Sequence, residues 1–329
     1  MKLASLADGS AHGALLVVSR DLTRMTPAQD IAPSLLAAVE QWANCHDALQ
    51  ARYQALNDGH VPGMPYDPTA LAAPLPRAPQ WCDGSAFLNH GYLMEQAFKL
   101  PAIPNVDTVP LMYQGASDDF LGPCDDIPLP DVAHGIDFEG EYGVITDDIP
   151  MACTPEQALR RIRLVVQIND VSLRAFTPVE IRSGFGFINA KPSSSFAPVA
   201  VTPDELGLAW RNGRVCLPLH IERNGEWFGQ PNGQEMHFGF HELIAHAART
   251  RRLRAGTIVG SGTVSNKDRR AGSACIAERR AIEMIDQGQA VTGFLQFGES
   301  VTMQAIADDG SRPFGTIAQR FVQALPAQD

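Results

Sequence analysis

Acidic side chains recur in this chain where apolar sequence ought to exclude them. The stretch Ile136-Asp137-Phe138-Glu139-Gly140-Glu141-Tyr142-Gly143-Val144-Ile145 ends in a strand-like apolar pattern, so Glu139 and Glu141, two residues apart, project from one face. Carboxylates that close repel unless they share a proton or something positive sits between them. A hard dication with oxygen ligands is one remedy and solvation at an exposed edge is the other; spacing leaves both open. A third acid, Asp170, ends the apolar run Val165-Val166-Gln167-Ile168-Asn169. An acid at the C-terminal end of a buried strand suits a site, although Asn-Asp is also common turn chemistry. Arg174, four residues on, would pair with Asp170 across one helical turn or bind a substrate anion.

Three further residues have chemistry at hand but a plain default. Asp83 and His90 stand seven apart in Asp83-Gly84-Ser85-Ala86-Phe87-Leu88-Asn89-His90, and a lone histidine is by default a structural hydrogen-bonding residue. Lys191 lies in the otherwise uncharged stretch Ile188–Phe196, where the default is a surface lysine with its stem on apolar neighbours. Other patterns fail. His237 and His241 have the i,i+4 spacing of helical zinc ligands, but Gly239 lies between them and the Glu of H-E-x-x-H is absent. Gly260-Ser261-Gly262-Thr263 is not a dinucleotide fingerprint, and neither a phosphate-binding loop nor a G-x-S-x-G elbow occurs.

The elements that must position these residues are partly legible. Ala14–Val18 reads as a strand. Ile31, Leu35, Leu36, Val39, Trp42, Leu49 and Leu56 recur near a 3.6 period, predicting one long helix from about Ser34 to Gly59. Six prolines between Pro62 and Pro79 exclude a helix or central strand and predict an extended connector. Thr154-Pro155-Glu156 opens a helix that leads into the Leu164–Ile168 strand, and Thr202-Pro203-Asp204-Glu205 repeats the start signal. Helical patterns follow at Glu242–Arg252 and Ala274–Gln287, with Gly288 as the stop. Short strands with interspersed helices and no βαβ rhythm predict an α+β domain on antiparallel or mixed sheet.

Composition bounds the rest. A chain of 329 residues exceeds what one core usually serves, predicting a small domain over 1–75 and a larger one over 76–329. With 37 Asp and Glu against 26 Lys and Arg, the net charge of -11 argues against nucleic-acid or anionic-membrane partners. No apolar run approaches the roughly 20 residues of a membrane span, and Met1–Ala4 runs into polar Asp8-Gly9-Ser10 unlike a secretory signal. Six scattered cysteines without a C-x-x-C pair point to reduced thiols and a cytoplasmic location.

Asp83…His90, Pro110-Leu111-Met112-Tyr113-Gln114-Gly115, Asp137-Phe138-Glu139-Gly140-Glu141, Asn169-Asp170-Val171-Ser172-x-Arg174, Lys191, Gly262-Thr263 and Glu278 occur in this order. Together they resemble the fumarylacetoacetate hydrolase family over roughly residues 80 to 305, and the segment before the connector resembles the small N-terminal domain of some bacterial members. The resemblance implies a mixed β-roll domain that forms a homodimer and holds one Mg²⁺, Ca²⁺ or Mn²⁺. Carried over position by position, Asp83, Glu139, Glu141 and Asp170 would be ligands. His90, oriented by Glu278, would activate water; Lys191 would stabilise charge developing on oxygen; Tyr113, Arg174 and Thr263 would bind a small anionic diketo acid. The implied reaction is hydrolysis of a carbon–carbon bond, with fumarylacetoacetate from tyrosine and phenylalanine breakdown as the name-giving substrate. Acylpyruvate hydrolysis, or decarboxylation, hydration or isomerisation of a 2-oxo acid, is the alternative on the same fold. Two positions depart from the family pattern: Ala190-Lys191-Pro192 replaces the usual surroundings of the lysine, and Thr177 stands where the fumarylacetoacetase branch has a Gln.

Overall fold

Eleven strands among the described residues form one continuous sheet in the computed structural model, which describes residues 1–324. Its central strands are Gly140–Thr146 and Ile162–Asn169, paired antiparallel. Beyond Gly140–Thr146 lie Ile258–Gly260, Trp81–Gly84 and Met112–Gly115. Ile258–Gly260 against Trp81–Gly84 is the sheet's one parallel strand pairing. In the other direction Ala200–Val201 leads to Lys2–Leu6, Ala14–Val18, Arg24–Pro27 and Met64–Pro65. The sheet therefore runs unbroken from the first 75 residues into the rest of the chain.

Both faces of the central strands are covered, which is why they read as apolar runs rather than alternations. On one face Ile145, Leu164, Val166 and Ile168 pack with Leu3, Val17, Val39, Trp42 and Leu49. The last three come from helices α1 (Leu35–Glu40) and α2 (Trp42–Asn57), while Val17 belongs to strand Ala14–Val18. On the other face Val144 and Val165 join Leu219, Ile221, Met303 and Phe321. These four belong to a five-stranded sheet ordered Glu226–Gly229, Leu219–Arg223, Ser300–Ala305, Ile317–Gln323, Ile127–Leu129. The buried Gln167 side chain ties the layers, donating to the Met303 carbonyl at 3.0 Å and accepting from the Ala305 amide at 2.7 Å. The mixed-sheet α+β expectation stands.

Several local expectations need correction. The long N-terminal helix is two, broken at Gln41 (φ -119°, ψ 32°), although Ser34 caps it as read. In the proline-rich connector Met64–Pro65 becomes a strand, at the sheet edge where a missing N–H costs no ladder bond. The Thr202 signal opens a 3₁₀ segment, Pro203–Ala209, interrupted at Gly207 (φ 51°, ψ -124°), instead of an α-helix. Helix α3 (Leu88–Phe98), α4 (Pro155–Leu159, with the Thr154–Gln157 capping box) and α5 (Thr177–Ser183) precede α6 (Phe240–Ala247), which ends five residues before the expected Arg252. Helix α7 (Ile276–Gln287) stops at Gly288 as expected.

Candidate metal centre and active site

The central sheet draws the acids together. Glu141 sits in strand Gly140–Thr146 opposite Ile168, and Asp170 lies just past the end of the partner strand. Asp83 arrives on Trp81–Gly84, beside Gly260 of the parallel neighbour. A side chain at Gly260 would run into Asp83 Oδ1 and the Trp81 ring, so only glycine permits that approach. The Gly262 amide, at φ 74°, donates to Asp83 Oδ1 at 3.0 Å. The Gly260-Ser261-Gly262 stretch, inert as a nucleotide motif, is thus a cradle for Asp83.

Asp83, Glu141 and Asp170 are buried, and each offers an oxygen within 4.8 Å of the others'. Burial, then the nearby Asp170, pushes the Asp83 carboxyl up to about 8. Burial and then Asp83 raise Glu141 well above the carboxylate range. Both Glu141 oxygens are buried without a donor. An ion left uncompensated in such a place costs several kcal/mol, so Glu141 requires a proton or a cation. An all-oxygen donor set without sulfur or imidazole suits a hard dication of the Mg²⁺, Ca²⁺ or Mn²⁺ type. These residues fit the metal that the resemblance implies.

Glu139, two residues away, is in the opposite state. Its Oε1 accepts from Lys191 Nζ at 3.0 Å and Ser172 Oγ at 2.7 Å, with Arg174 Nη2 at 2.8 Å, and its Oε2 accepts from Thr263 Oγ1 at 2.7 Å. Burial alone would raise this carboxyl, but Lys191 and Arg174 hold it well below the usual range. Glu139 therefore stands beside the group of three with its charge already matched. An exposed, solvated edge is ruled out, because Glu139 is 6% exposed and Glu141 0%.

Lys191 also departs from its default as a surface residue. It is 9% exposed, and Nζ donates to Asp170 Oδ2 at 2.6 Å as well as to Glu139. Burial works against its charge, yet Asp170 and Glu139 keep it protonated. Two of its three N–H donors are thereby used. Asp170 accepts further from Tyr113 OH and Ser194 Oγ, each at 2.6 Å. Arg174 does not pair with Asp170; its Nε donates to Asp137 Oδ2 at 2.8 Å, and Nη2 bridges Asp137 and Glu139. So each of Tyr113, Arg174 and Thr263 has its polar head on a carboxylate of the site or its border.

A histidine–carboxylate pair joins α3 and α7. His90, in α3, places Nδ1 2.9 Å from Oε2 of the buried Glu278, in the first turn of α7. In the tautomer that donates Nδ1–H to this carboxylate, Nε2 is left as an acceptor. His90 lies close enough to Glu139 that, when protonated, it favours the ionised carboxylate. Four contributors carried no assignment from sequence: Asp137, Asn169 (whose Oδ1 accepts from the Glu139 amide at 3.3 Å), Ser172 and Ser194. All but Ser194 lie inside the D-x-E-x-E and N-D-x-S stretches, and that proximity was the available signal.

The chain is similar to known proteins over most of its length. Residues 80–322 match the fumarylacetoacetate (FAA) hydrolase C-terminal family, and residues 1–77 match fumarylacetoacetase N-terminal domain 2. A 2,4-didehydro-3-deoxy-L-rhamnonate hydrolase of Sphingomonas sp. (strain SKA58) is 30% identical over 162 residues, 48% of this chain and 54% of that protein. The mitochondrial oxaloacetate tautomerase of Bos taurus is 25% identical over 62% of this chain and 61% of its own. The chain thus spans about half the length of the first curated relatives it matches. In fold it is similar to maleylpyruvate hydrolase from Sphingobium sp. SYK-6, solved with manganese(II) and pyruvate (TM-score 0.67, 16% identity, covering 99% of this chain and 100% of that one). It is also similar to fumarylacetoacetate hydrolase from Exiguobacterium antarcticum (TM-score 0.65, 18% identity, 99% and 100%). With a domain-length family match laid over buried acids and a histidine–glutamate pair, the chain belongs to the fumarylacetoacetate hydrolase family and is an enzyme of that family.

Proposed function

We propose that this enzyme hydrolyses a carbon–carbon bond in a diketo acid of the acylpyruvate or fumarylacetoacetate type, with one divalent cation held by Asp83, Glu141 and Asp170 and bordered by Glu139. The cation, when bound, supplies Lewis-acid polarisation of neighbouring oxo groups and a template for the substrate. The observation that carries hydrolysis is the His90–Glu278 pair, a base oriented by a buried acid as water activation needs.

The residues then divide the work. Glu278 holds Nδ1–H, so Nε2 of His90 takes a proton from water. The hydroxide formed adds to the carbonyl carbon beside the scissile bond. That bond breaks with its electron pair left on the other fragment as an enolate, which takes up a proton, giving two acids. Lys191 has a third N–H free for the oxygen on which charge develops. Tyr113 and Thr263 line the substrate space while bonding Asp170 and Glu139. Arg174 acts through its charge, since its guanidinium is engaged by Asp137 and Glu139.

The decisive assay follows loss of diketo absorbance with fumarylacetoacetate and a series of acylpyruvates, with and without chelator. Chelator should abolish turnover, and His90→Ala should lower it by about 10²- to 10⁴-fold. Full turnover by His90→Ala would replace hydrolysis with decarboxylation or tautomerisation. The reading includes a homodimer, supported by the exposed apolar side chains Val179, Ile181, Phe185 and Ile188; light scattering tests it. It also keeps the division at residues 75 and 76. A cytoplasmic setting is supported by six free cysteines and by no helix among the described residues being long and apolar enough to cross a membrane.

A further inference from the structure

Asp137 has no part in the chemistry above, yet it is fully buried and its carboxylate is bonded on every side. Oδ1 accepts from the amides of Ile276 at 2.7 Å and Phe138 at 2.8 Å; Oδ2 accepts from the Ala277 amide at 2.9 Å and Arg174 Nε at 2.8 Å. Ile276 and Ala277 are the first two residues of α7, whose N–H groups have no partner within the helix. The residue at the cap position, Cys275, offers only its sulfur, which accepts from the Glu278 amide at 3.3 Å. Thiol sulfur is a weak acceptor. An acid from the distant ribbon Ile136–Asp137 does the capping instead.

Glu278 is the next residue along that first turn, and it holds His90. In the other direction Arg174 carries the link to Glu139, and Glu139 to Lys191. One carboxylate thus pins both the helix that aims the base and the cation pair beside the acids. We propose that Asp137 is a positioning residue: it sets His90 against the acid cluster by anchoring the start of α7 on the same carboxylate that fixes Arg174. The kinetic part of this inference rests on the hydrolase reading; the geometric part does not.

The test uses the full chain, with and without Mg²⁺, as Asp137→Ala and Asp137→Asn. Asn keeps one carbonyl oxygen for the α7 amides but loses the charge that faces Arg174. The first readout needs no substrate: the low-field proton resonance of the His90 Nδ1–H, assigned by its absence in His90→Ala. It should vanish in Asp137→Ala through exchange with water and persist, weakened, in Asp137→Asn. The second readout is kinetic. kcat should fall about 10- to 100-fold in Asp137→Ala and less in Asp137→Asn, with KM nearly unmoved. If Asp137→Ala fails to fold by circular dichroism, Asp137→Asn alone decides by the same signs. An unchanged resonance, or an unchanged kcat in a folded variant, overturns the proposal. Should the wild type turn over none of the diketo acids, the hydrolase reading fails while the resonance still decides the role of Asp137.

Discussion

Glu139 and Glu141 are one glycine apart and both buried, yet one side of the pair is saturated and the other is bare. Glu139 has Lys191, Arg174, Ser172 and Thr263 around it and is held ionised. Glu141 has no donor at all and lies beside Asp83, with burial favouring its protonated form. The difference shows how a strand can separate structural charge from functional charge. The matched acid has its charge compensated within the protein, while the unmatched acids carry an electrostatic demand that a proton or a cation would meet.

That contrast is most directly broken at Glu139. Glu139→Gln leaves Lys191 and Arg174 short of negative charge in a buried site, and chemical denaturation should show a loss of about 3–5 kcal/mol. A loss below about 1 kcal/mol would mean that its charge is not structural. Glu141→Gln should behave in the opposite way. Removing an unpartnered acid leaves the metal-free protein as stable or more so, while calorimetry should find divalent affinity down by at least about 100-fold. Equal destabilisation by the two substitutions would erase the distinction.

The pH dependence sharpens the comparison further. Asp83, up to about 8, and Glu141 have folded-state values above their unfolded ones, so the folded metal-free chain keeps protons that the unfolded chain releases. Their contribution is fully present at acid pH below the unfolded values; that of Asp83 is lost as pH rises toward about 8, and that of Glu141 as pH rises through its own raised value. Glu139, lowered, contributes in the opposite sense: its stabilisation is present above the unfolded value and lost as pH falls. Hence the rise in melting temperature on adding Mg²⁺ or Ca²⁺ should be greater near pH 8 than near pH 6. Metal binding should also release protons, seen as a buffer-dependent heat. A metal effect independent of pH would count against the raised, uncompensated state of Asp83 and Glu141. The smallest expected effect is at Ser172, where Ala removes one hydrogen bond to ionised Glu139 and should cost about 1.5–3 kcal/mol, with divalent affinity little changed.

Much of the scaffold was legible because its signals are local. Ser34 and Thr154 cap helices where their neighbours said they would, and Gly288 ends α7. The helix through Gln41 was misread because hydrophobic period runs across a break that involves a single residue's backbone. At the site, the spacing of Glu139, Glu141 and Asp170 marked the acids. Lys191 was legible only through the resemblance: its sequence neighbours are uncharged, so nothing nearby revealed that it lies between two acids 52 and 21 residues away.

By itself the sequence determined which side chains are available, which share a face of a strand and where several helices begin, since all of these depend on residues within a few positions. Only the tertiary structure decided which acids are matched and which are bare, that Arg174 turns to Asp137 and Glu139, and that His90 meets Glu278 across 188 residues. Charge state follows from distance and burial, and both are set by sheet register between strands far apart in the chain.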